Sequence, residues 1–207
     1  MCGIGGIIGE RSHSSAKIII KKLIHRGPDY NNFWISDESE FPATICHTRL
    51  SIIDISDDGS QPFFSDDNRY VLVFNGEIYN YIELKKELQQ NGCIFKTRTD
   101  TEVLLKGLIL EGPKFQLKCN GMWSFCLWDR KLKKALLGRD RFGIKPLYYY
   151  QKEGLFIFGS EMKSITPFMK KIEKSKNFES FAKSIFNYES TEECVIEGIK
   201  KLKAGNY

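Results

Sequence analysis

The order of apolar and polar positions predicts strands and helices in alternation along the first half of the chain. Residues 3–8 form a short, apolar, glycine-rich run that is typical of a buried strand. The spacing of apolar side chains in the next segment predicts a helix from about Ser15 to His25. Gly27 and Pro28 end this helix, so residues 25–29 are predicted to form a loop.

The middle of the chain contains further strand patterns and two helical patterns. Strands are predicted at about 32–36, 43–49 and 70–74. A helix is predicted from Glu77 to Gln90, directly after Asn75–Gly76. A second helix is predicted to begin at Thr99, since Thr99 and Glu102 match a capping box, and to continue to Gly112.

After residue 121 the pattern changes to short aromatic strands separated by polar or glycine-containing turns. The predicted strands cover 122–129, 134–139, 146–150 and 155–158. Together they predict a meander of antiparallel strands. With helices inserted between the earlier strands, the chain is predicted to be an α+β domain with mainly antiparallel sheets and helices packed outside.

Composition narrows the class of protein. The chain has 207 residues, 42% of them hydrophobic, which suits one domain with a sizeable core. Its net charge of +5 is spread along the chain apart from a lysine-rich end, so nucleic-acid binding is not favoured. It has no 18-residue apolar run and no export signal, and its six cysteines lack the spacing of a zinc site or disulfide framework. We therefore expect a cytoplasmic protein with reduced thiols, no bound metal and no membrane association.

Cys2 becomes the amino-terminal residue if Met1 is removed. A terminal cysteine carries a thiol nucleophile and an α-amine that can act as its general base. The alternative is an ordinary buried cysteine. A histidine could also serve as the base, and the candidates are His13, His25 and His47. A Cys–His enzyme would not need its cysteine at the terminus, so the position of Cys2 favours the amine.

The dipeptide Asn75–Gly76 could supply two donors to the oxyanion that forms when a thiol attacks an amide. The alternative is a strand-to-helix turn that requires glycine.

Arg49 and Asp100 match the carboxylate and ammonium of an amino-acid substrate such as glutamine. Alternatively, Arg49 pairs with Asp54 or another acid and Asp100 stabilises a helix N-terminus. Glu77 is open to the same two interpretations as Asp100.

Six segments in order resemble one family, the amino-terminal glutaminase domain of class II glutamine amidotransferases, in the asparagine synthetase branch. The resemblance covers about residues 2–165. Its motifs are Met1-Cys2-Gly3-Ile4, His25-Arg26-Gly27-Pro28-Asp29, His47 through Asp54, Phe74 through Asn80, Arg98 through Glu102, and Gly138 through Leu147.

The resemblance implies an Ntn-hydrolase fold, a four-layer αββα sandwich with two mainly antiparallel sheets, and L-glutamine as substrate. It implies Cys2 as nucleophile, with its own amine as base once Met1 is removed, and a thioester that is hydrolysed to glutamate with release of ammonia. The oxyanion hole would be Asn75 and Gly76. The implied substrate-binding residues are Arg49 for the carboxylate, Glu77 and Asp100 for the ammonium, and the backbone around Ile52 and Ile53.

The family usually continues into an ATP-dependent synthetase domain with a Ser-Gly-Gly-x-Asp-Ser loop, and this sequence contains no such segment. We expect a glutaminase domain at 1–165 and a basic linker or end segment at 166–207, as in a fragment or split subunit of a larger enzyme. No cofactor is expected in this domain, and ATP and magnesium are expected only in the synthetase domain or subunit that receives the ammonia. Three alternatives remain open: a glutaminase serving another acceptor such as a surface-polysaccharide sugar acid, a non-catalytic regulatory or binding module, and a different N-terminal-cysteine amide hydrolase.

Overall fold

The structure, a computed structural model, describes residues 1–37, 40–51, 57–176 and 192–207. These residues form two antiparallel sheets and three α-helices. The helices are α1 (His13–Leu23), α2 (Tyr81–Gln90) and α3 (Asp100–Glu111). The strands are β1 (Gly3–Ile8), β2 (Tyr30–Ile35), β3 (Ala43–Arg49), β4 (Phe63–Phe64), β5 (Tyr70–Ile78), β6 (Gly121–Asp129), β7 (Lys134–Arg139), β8 (Tyr148–Lys152), β9 (Leu155–Gly159) and β10 (Ile199–Lys201).

The two sheets lie face to face between outer helical layers. The first sheet has the strand order β10-β8-β9-β1-β3-β2, and the second has the order β4-β5-β6-β7. Helix α1 packs on β1 and β3, while α2 and α3 pack on the second sheet. This arrangement confirms the predicted α+β class with two antiparallel sheets.

The inter-sheet core fixes which face each strand turns inward. Ile4 of β1, Ile45 of β3 and Val73 of β5 are fully buried there. Successive side chains of a strand point to opposite faces. The residues two or four positions along these strands therefore also face the space between the sheets, and they include the predicted site residues.

The first helix is close to its predicted position. Helix α1 ends at Leu23 and is followed by a 3₁₀ turn, Ile24–Arg26. The Ser12 hydroxyl accepts a hydrogen bond from the Ser15 backbone N–H and caps the helix N-terminus.

The prediction of a helix beginning at Glu77 is wrong. Strand β5 continues through Asn75, Gly76 and Glu77 to Ile78, and α2 begins at Tyr81. The polar inner-face side chains of the strand resemble the acidic first turn of a helix, which explains the error. Consequently Asn75–Gly76 is not a strand-to-helix turn, and Glu77 is not in the first turn of a helix.

The aromatic strands after residue 121 exist, but they do not form one continuous meander. Strands β6 and β7 belong to the second sheet, whereas β8 and β9 belong to the first. The crossing segment, residues 140–147, passes close to the amino-terminal end of β1. Strand β10 pairs with β8, so part of the segment beyond residue 166 is built into the sheet. No helix among the described residues has both the length and the apolar character needed to cross a membrane.

Candidate active site

The predicted site residues meet at one end of the sandwich. Cys2 precedes β1, Arg49 ends β3, and Asn75 and Glu77 lie near the end of β5, all on the faces turned toward the other sheet. Asp100 opens α3 and approaches from the helical side. One narrow cavity is lined by Cys2, Arg49, Asn75, Gly76, Glu77 and Asp100, together with Met1, His47, Gln61 and Lys145.

The Cys2 thiol is held by the backbone at the end of β3. Its Sγ accepts a hydrogen bond from the Leu50 N–H at 3.3 Å and lies 3.5 Å from the Leu50 carbonyl oxygen. Burial raises the pKa of the Cys2 thiol, and the Leu50 hydrogen bond, the amine of Met1 and the cations Lys145 and Arg49 oppose that rise. The thiol is thus partly buried among groups that favour its anionic form.

The segment 25–29 anchors the backbone of Cys2. Gly27 packs so tightly on β3 that a Cβ there would lie 2.4 Å from the Thr48 carbonyl oxygen. This close approach brings Arg26 to Cys2, and the Arg26 Nε donates to the Cys2 carbonyl oxygen at 2.9 Å. Arg26 is itself paired with Glu161, whose Oε1 lies 2.9 Å from Nη1. Hydrogen bonds therefore hold both the thiol of Cys2, through Leu50, and its carbonyl oxygen, through Arg26.

The edge of β5 that faces β4 is left open where it enters the cavity. β4 is only two residues long and pairs with β5 at Val71 and Leu72. Beyond that point alternate N–H groups of β5 point outward from the sheet. The N–H of Phe74 donates to the Gln61 Oε1 at 2.6 Å, and that of Ile78 donates to the Asp100 Oδ2 at 3.0 Å.

The N–H of Gly76 lies between those two and points toward the cavity. A Cβ at position 76 would lie 2.3 Å from the Met122 carbonyl oxygen and 2.7 Å from the Trp123 Cα, so only glycine fits. The neighbouring Asn75 side chain is only 1% exposed, and neither its nitrogen nor its oxygen has a hydrogen-bond partner among the described residues. A buried amide without partners costs stability, which makes this one a candidate for binding a ligand atom.

The cavity also has a polar end, formed by the charged side chains of Arg49, Glu77 and Asp100. Arg49 and Asp100 are both buried, and Glu77 is half-buried. Burial raises the pKa of Asp100 to about 6, against the hydrogen bond from the Ile78 N–H, and the nearby Glu77 carboxylate adds to the rise. A ligand with both a carboxylate and an ammonium would complement this end of the site.

The histidines do not favour a Cys–His pair. His47 lies inside β3, within the strand predicted at 43–49, and it is completely buried. Burial lowers its pKa to about 3, despite an interaction with the Phe74 backbone that favours the protonated form, so His47 is a weak base. His25 lies outside the cavity lining, 2.8 Å from Glu161, and His13 stacks edge-on against Phe33. This arrangement favours the amine as the base for Cys2.

Gln61 and Lys145 are cavity residues that the sequence analysis did not single out. Gln61 lies in a predicted polar turn, and nothing local marks its long-range hydrogen bonds to Phe74 and to the Thr101 hydroxyl. Lys145 lies within the motif 138–147, which was available as a signal. The predicted contacts of Ile52 and Ile53, and a pairing of Arg49 with Asp54, concern positions outside the described residues.

The fold and the site define an α+β domain of two stacked antiparallel sheets in which Cys2 lies beside an open edge of β5. The chain belongs to the glutamine amidotransferase domain family, whose model matches residues 1–207. Asparagine synthetase [glutamine-hydrolyzing] 2 of Bacillus subtilis is 40% identical over 172 residues, covering 80% of this chain and 22% of that protein. Asparagine synthetase B [glutamine-hydrolyzing] of Escherichia coli is 35% identical over 180 residues, covering 84% of this chain and 31% of that protein.

Solved structures support the same fold. Glutamine phosphoribosylpyrophosphate amidotransferase from B. subtilis aligns over 80% of this chain and 43% of its own, with a TM-score of 0.66 and 21% identity. This likeness confirms the Ntn-hydrolase sandwich. The chain spans between 22% and 39% of the length of eight curated relatives that it matches.

Proposed function

We propose that this domain hydrolyses the side-chain amide of L-glutamine to glutamate and ammonia through a thioester on Cys2. The reaction requires removal of Met1, because only then is the α-amine of Cys2 free to take the thiol proton. The ammonia passes to an ATP-dependent synthetase domain or subunit that makes asparagine.

The observation that carries this proposal is the pair of unused donors beside Cys2. The Asn75 amide and the Gly76 N–H line the same cavity as the thiol, and neither has an acceptor among the described residues. Donors held in advance where negative charge develops stabilise a transition state without reorganisation. An ordinary buried cysteine would not need them.

Acylation follows from this geometry. Sγ of Cys2 attacks the side-chain carbonyl carbon of glutamine, and the thiol proton moves to the Cys2 amine. Asn75 and Gly76 bind the oxyanion. The ammonium of Cys2 then returns its proton to the departing nitrogen, which leaves as ammonia. A water molecule then adds to the thioester carbon as it gives a proton to the Cys2 amine, and a second oxyanion forms in the same hole. The C–S bond breaks, glutamate leaves, and the ammonium of Cys2 returns the proton to Sγ.

The other end of glutamine is bound by the polar end of the cavity. Arg49 binds the α-carboxylate through its planar guanidinium group. Glu77 and Asp100 bind the α-ammonium. This assignment distinguishes glutamine from amides without a charged amino-acid end.

The acceptor is inferred from the relatives alone. Several curated relatives are named as glutamine-hydrolysing asparagine synthetases, and they are longer than this chain. ATP and magnesium would bind in that additional domain, and this domain would need no cofactor. The six cysteines are all free thiols, which suits a reducing cytoplasmic location.

The test combines intact mass with a glutaminase assay on the purified chain. Mass should show loss of Met1, and a glutamine-analogue electrophile should add once, at Cys2. Inserting alanine between Met1 and Cys2 should abolish turnover while the fold persists, because the nitrogen of Cys2 becomes an amide. Cys93→Ala, at a half-buried thiol outside the cavity, is the matched control and should remain active. Full activity in the insertion variant would refute the amine as base.

A further inference from the structure

Lys145 lies in the turn that joins the two sheets beside the cavity, and its backbone is fixed from both directions. The carboxylate of Asp140, fully buried, accepts hydrogen bonds from the backbone N–H groups of Trp123 and Lys145 at 3.2 and 2.9 Å. The Arg139 Nε donates to the Lys145 carbonyl oxygen at 2.8 Å. The turn therefore has little freedom to move Lys145 away.

The same arginine connects this turn to the last segment of the chain. Its Nη1 donates to the Leu202 carbonyl oxygen at 2.8 Å, and its backbone N–H donates to the Asn206 carbonyl oxygen at 3.1 Å. The Gly205 N–H donates to the Asp140 carbonyl oxygen at 2.7 Å. Residues 202–206 thus hold the turn that carries Lys145.

The side chain of Lys145 enters the active-site cavity. The residue is only 4% exposed, and it lines the cavity with Cys2 and Glu77. Among the residues that the structure describes, no carboxylate forms an ion pair with its ammonium. Burial lowers the pKa of Lys145, while the charges of Glu77 and Cys2 oppose that change.

A buried ammonium without an ion pair is costly unless negative charge forms beside it. Glu77 and Asp100 supply carboxylates, but the proposed substrate ammonium requires them. The Cys2 thiol is the other group in the cavity that becomes negative, and Lys145 favours that anion. The charged or titratable groups around the thiol are Lys145, Arg26, Arg49, Glu77, Asp100, the neutral His47 and the α-amine.

The other two cations near the thiol already have roles. Arg26 is paired with Glu161 and holds the Cys2 carbonyl oxygen, and Arg49 is assigned to the substrate carboxylate. We propose that Lys145 is an electrostatic positioning residue of glutamine hydrolysis, whose buried ammonium stabilises the Cys2 thiolate and the oxyanions formed from it. This inference deepens the proposed function and depends on Cys2 as the nucleophile.

The test measures the pH dependence of Cys2 alkylation by iodoacetamide in the Met1-processed chain, with peptide mass mapping to isolate Cys2 from the other thiols. In Lys145→Met the alkylation midpoint should rise by about one pH unit, because an opposite charge nearby typically lowers a thiol pKa by about that much or more. Lys145→Arg should restore the wild-type midpoint. Lys17→Met, at an exposed position of α1, is the matched control and should leave it unchanged.

Steady-state kinetics provide the second readout. Lys145→Met should lower kcat for glutamine by roughly tenfold at pH 7 while KM changes less than about twofold, since the charge acts on the nucleophile rather than on substrate binding. Thermal unfolding of each variant checks that the fold is retained.

An unchanged alkylation midpoint in Lys145→Met would overturn the inference, and so would a change confined to KM. Alkylation does not require glutamine turnover. If the wild-type chain failed to hydrolyse glutamine, the proposed function would fall, yet the midpoints would still decide whether Lys145 stabilises the thiolate.

Discussion

Asp100 provides the sharpest prediction, because the same carboxylate is expected to weaken the fold and to bind the substrate. It is 5% exposed, and its Oδ2 accepts the Ile78 N–H. Asp100→Asn keeps the shape and can keep that hydrogen bond through Oδ1, but it removes the buried charge. We expect the variant to be more stable than the wild type above pH 6 and to bind glutamine poorly.

The size of this change in unfolding free energy follows from the shift in the pKa of Asp100. A rise from 3.8 in the unfolded chain to about 6 in the folded protein corresponds to about 3 kcal/mol of destabilisation once the group is ionised in both states. This shift already includes the favourable interaction of the Asp100 carboxylate with the backbone N–H groups at the N-terminus of α3. The stabilisation by Asp100→Asn should therefore be about 3 kcal/mol at pH 8.

The sign of the pH dependence follows from the same shift. Between pH 3.8 and about 6 the unfolded chain has lost the Asp100 proton while the folded chain retains it, so the wild type loses stability as pH rises through this window. The Asp100→Asn variant has no carboxylate at this position and does not lose stability in this way. The difference in unfolding free energy should thus be small near pH 4 and reach its full value above pH 6.

Urea unfolding of both chains at several pH values between 4 and 8 measures this difference. Calorimetry with glutamine, in a Cys2→Ala background that prevents turnover, measures binding. In the Cys2→Ala protein that keeps Asp100, the affinity for glutamine should rise as pH rises through 6, because the substrate ammonium requires an ionised Asp100. A stability difference that is constant across pH, or that shrinks as pH rises, would refute the burial argument.

Three further predictions concern the remaining groups of the site. Asn75→Ala should lower kcat by about 100- to 1000-fold with a small change in KM, since one oxyanion donor is typically worth that much; a loss confined to KM in steady-state kinetics would contradict the role. Arg49→Ala should raise KM for glutamine, and Arg49→Lys should recover part of the affinity; turnover near that of the wild type in Arg49→Ala would exclude the carboxylate assignment. Burial alone would raise the pKa of Glu161, but hydrogen bonds from Arg26, Lys163 and His25 lower this pKa to about 2. The Glu161 carboxylate therefore stabilises the fold above pH 4.5, and this stabilisation is lost as pH falls toward 2. Glu161→Gln should therefore reduce the chemical-denaturation midpoint at pH 7 but not at pH 2, and an equal loss at both values would argue against the ion pairs.

The fold was largely predictable because most strands are short apolar runs between strong turn signals. Strands β1, β3 and β6 and helices α1 and α3 lie close to their predicted positions. The capping box at α3 is only half formed, since the Thr99 hydroxyl accepts the Glu102 N–H but the Glu102 carboxylate accepts from the N–H groups of Lys96 and Thr97.

The missed features depend on tertiary contacts that leave no local pattern. β10 is a three-residue strand with two lysines, and its place in the sheet depends on its pairing with β8. Gln61 acts as a substitute for a strand at the edge of β5, which no periodicity could reveal. In the sequence Lys145 resembles an ordinary solvated lysine, and only the folded turn around Asp140 places its side chain in the cavity. Cys2 and Arg49 were predicted from chemistry, a thiol next to the amino terminus and a guanidinium group suited to a carboxylate, and both line the cavity.

The open edge of β5 also has a consequence for association between molecules. A row of free backbone N–H and C=O groups at a sheet edge is a template onto which another chain can add a strand. Here Gln61 accepts the N–H of Phe74 and Asp100 accepts the N–H of Ile78. The N–H of Gly76 between them is left uncovered in the described part of the chain, and a single residue is too short to pair with another strand. The two side chains that line the cavity thereby also shorten the edge onto which another chain could add a strand.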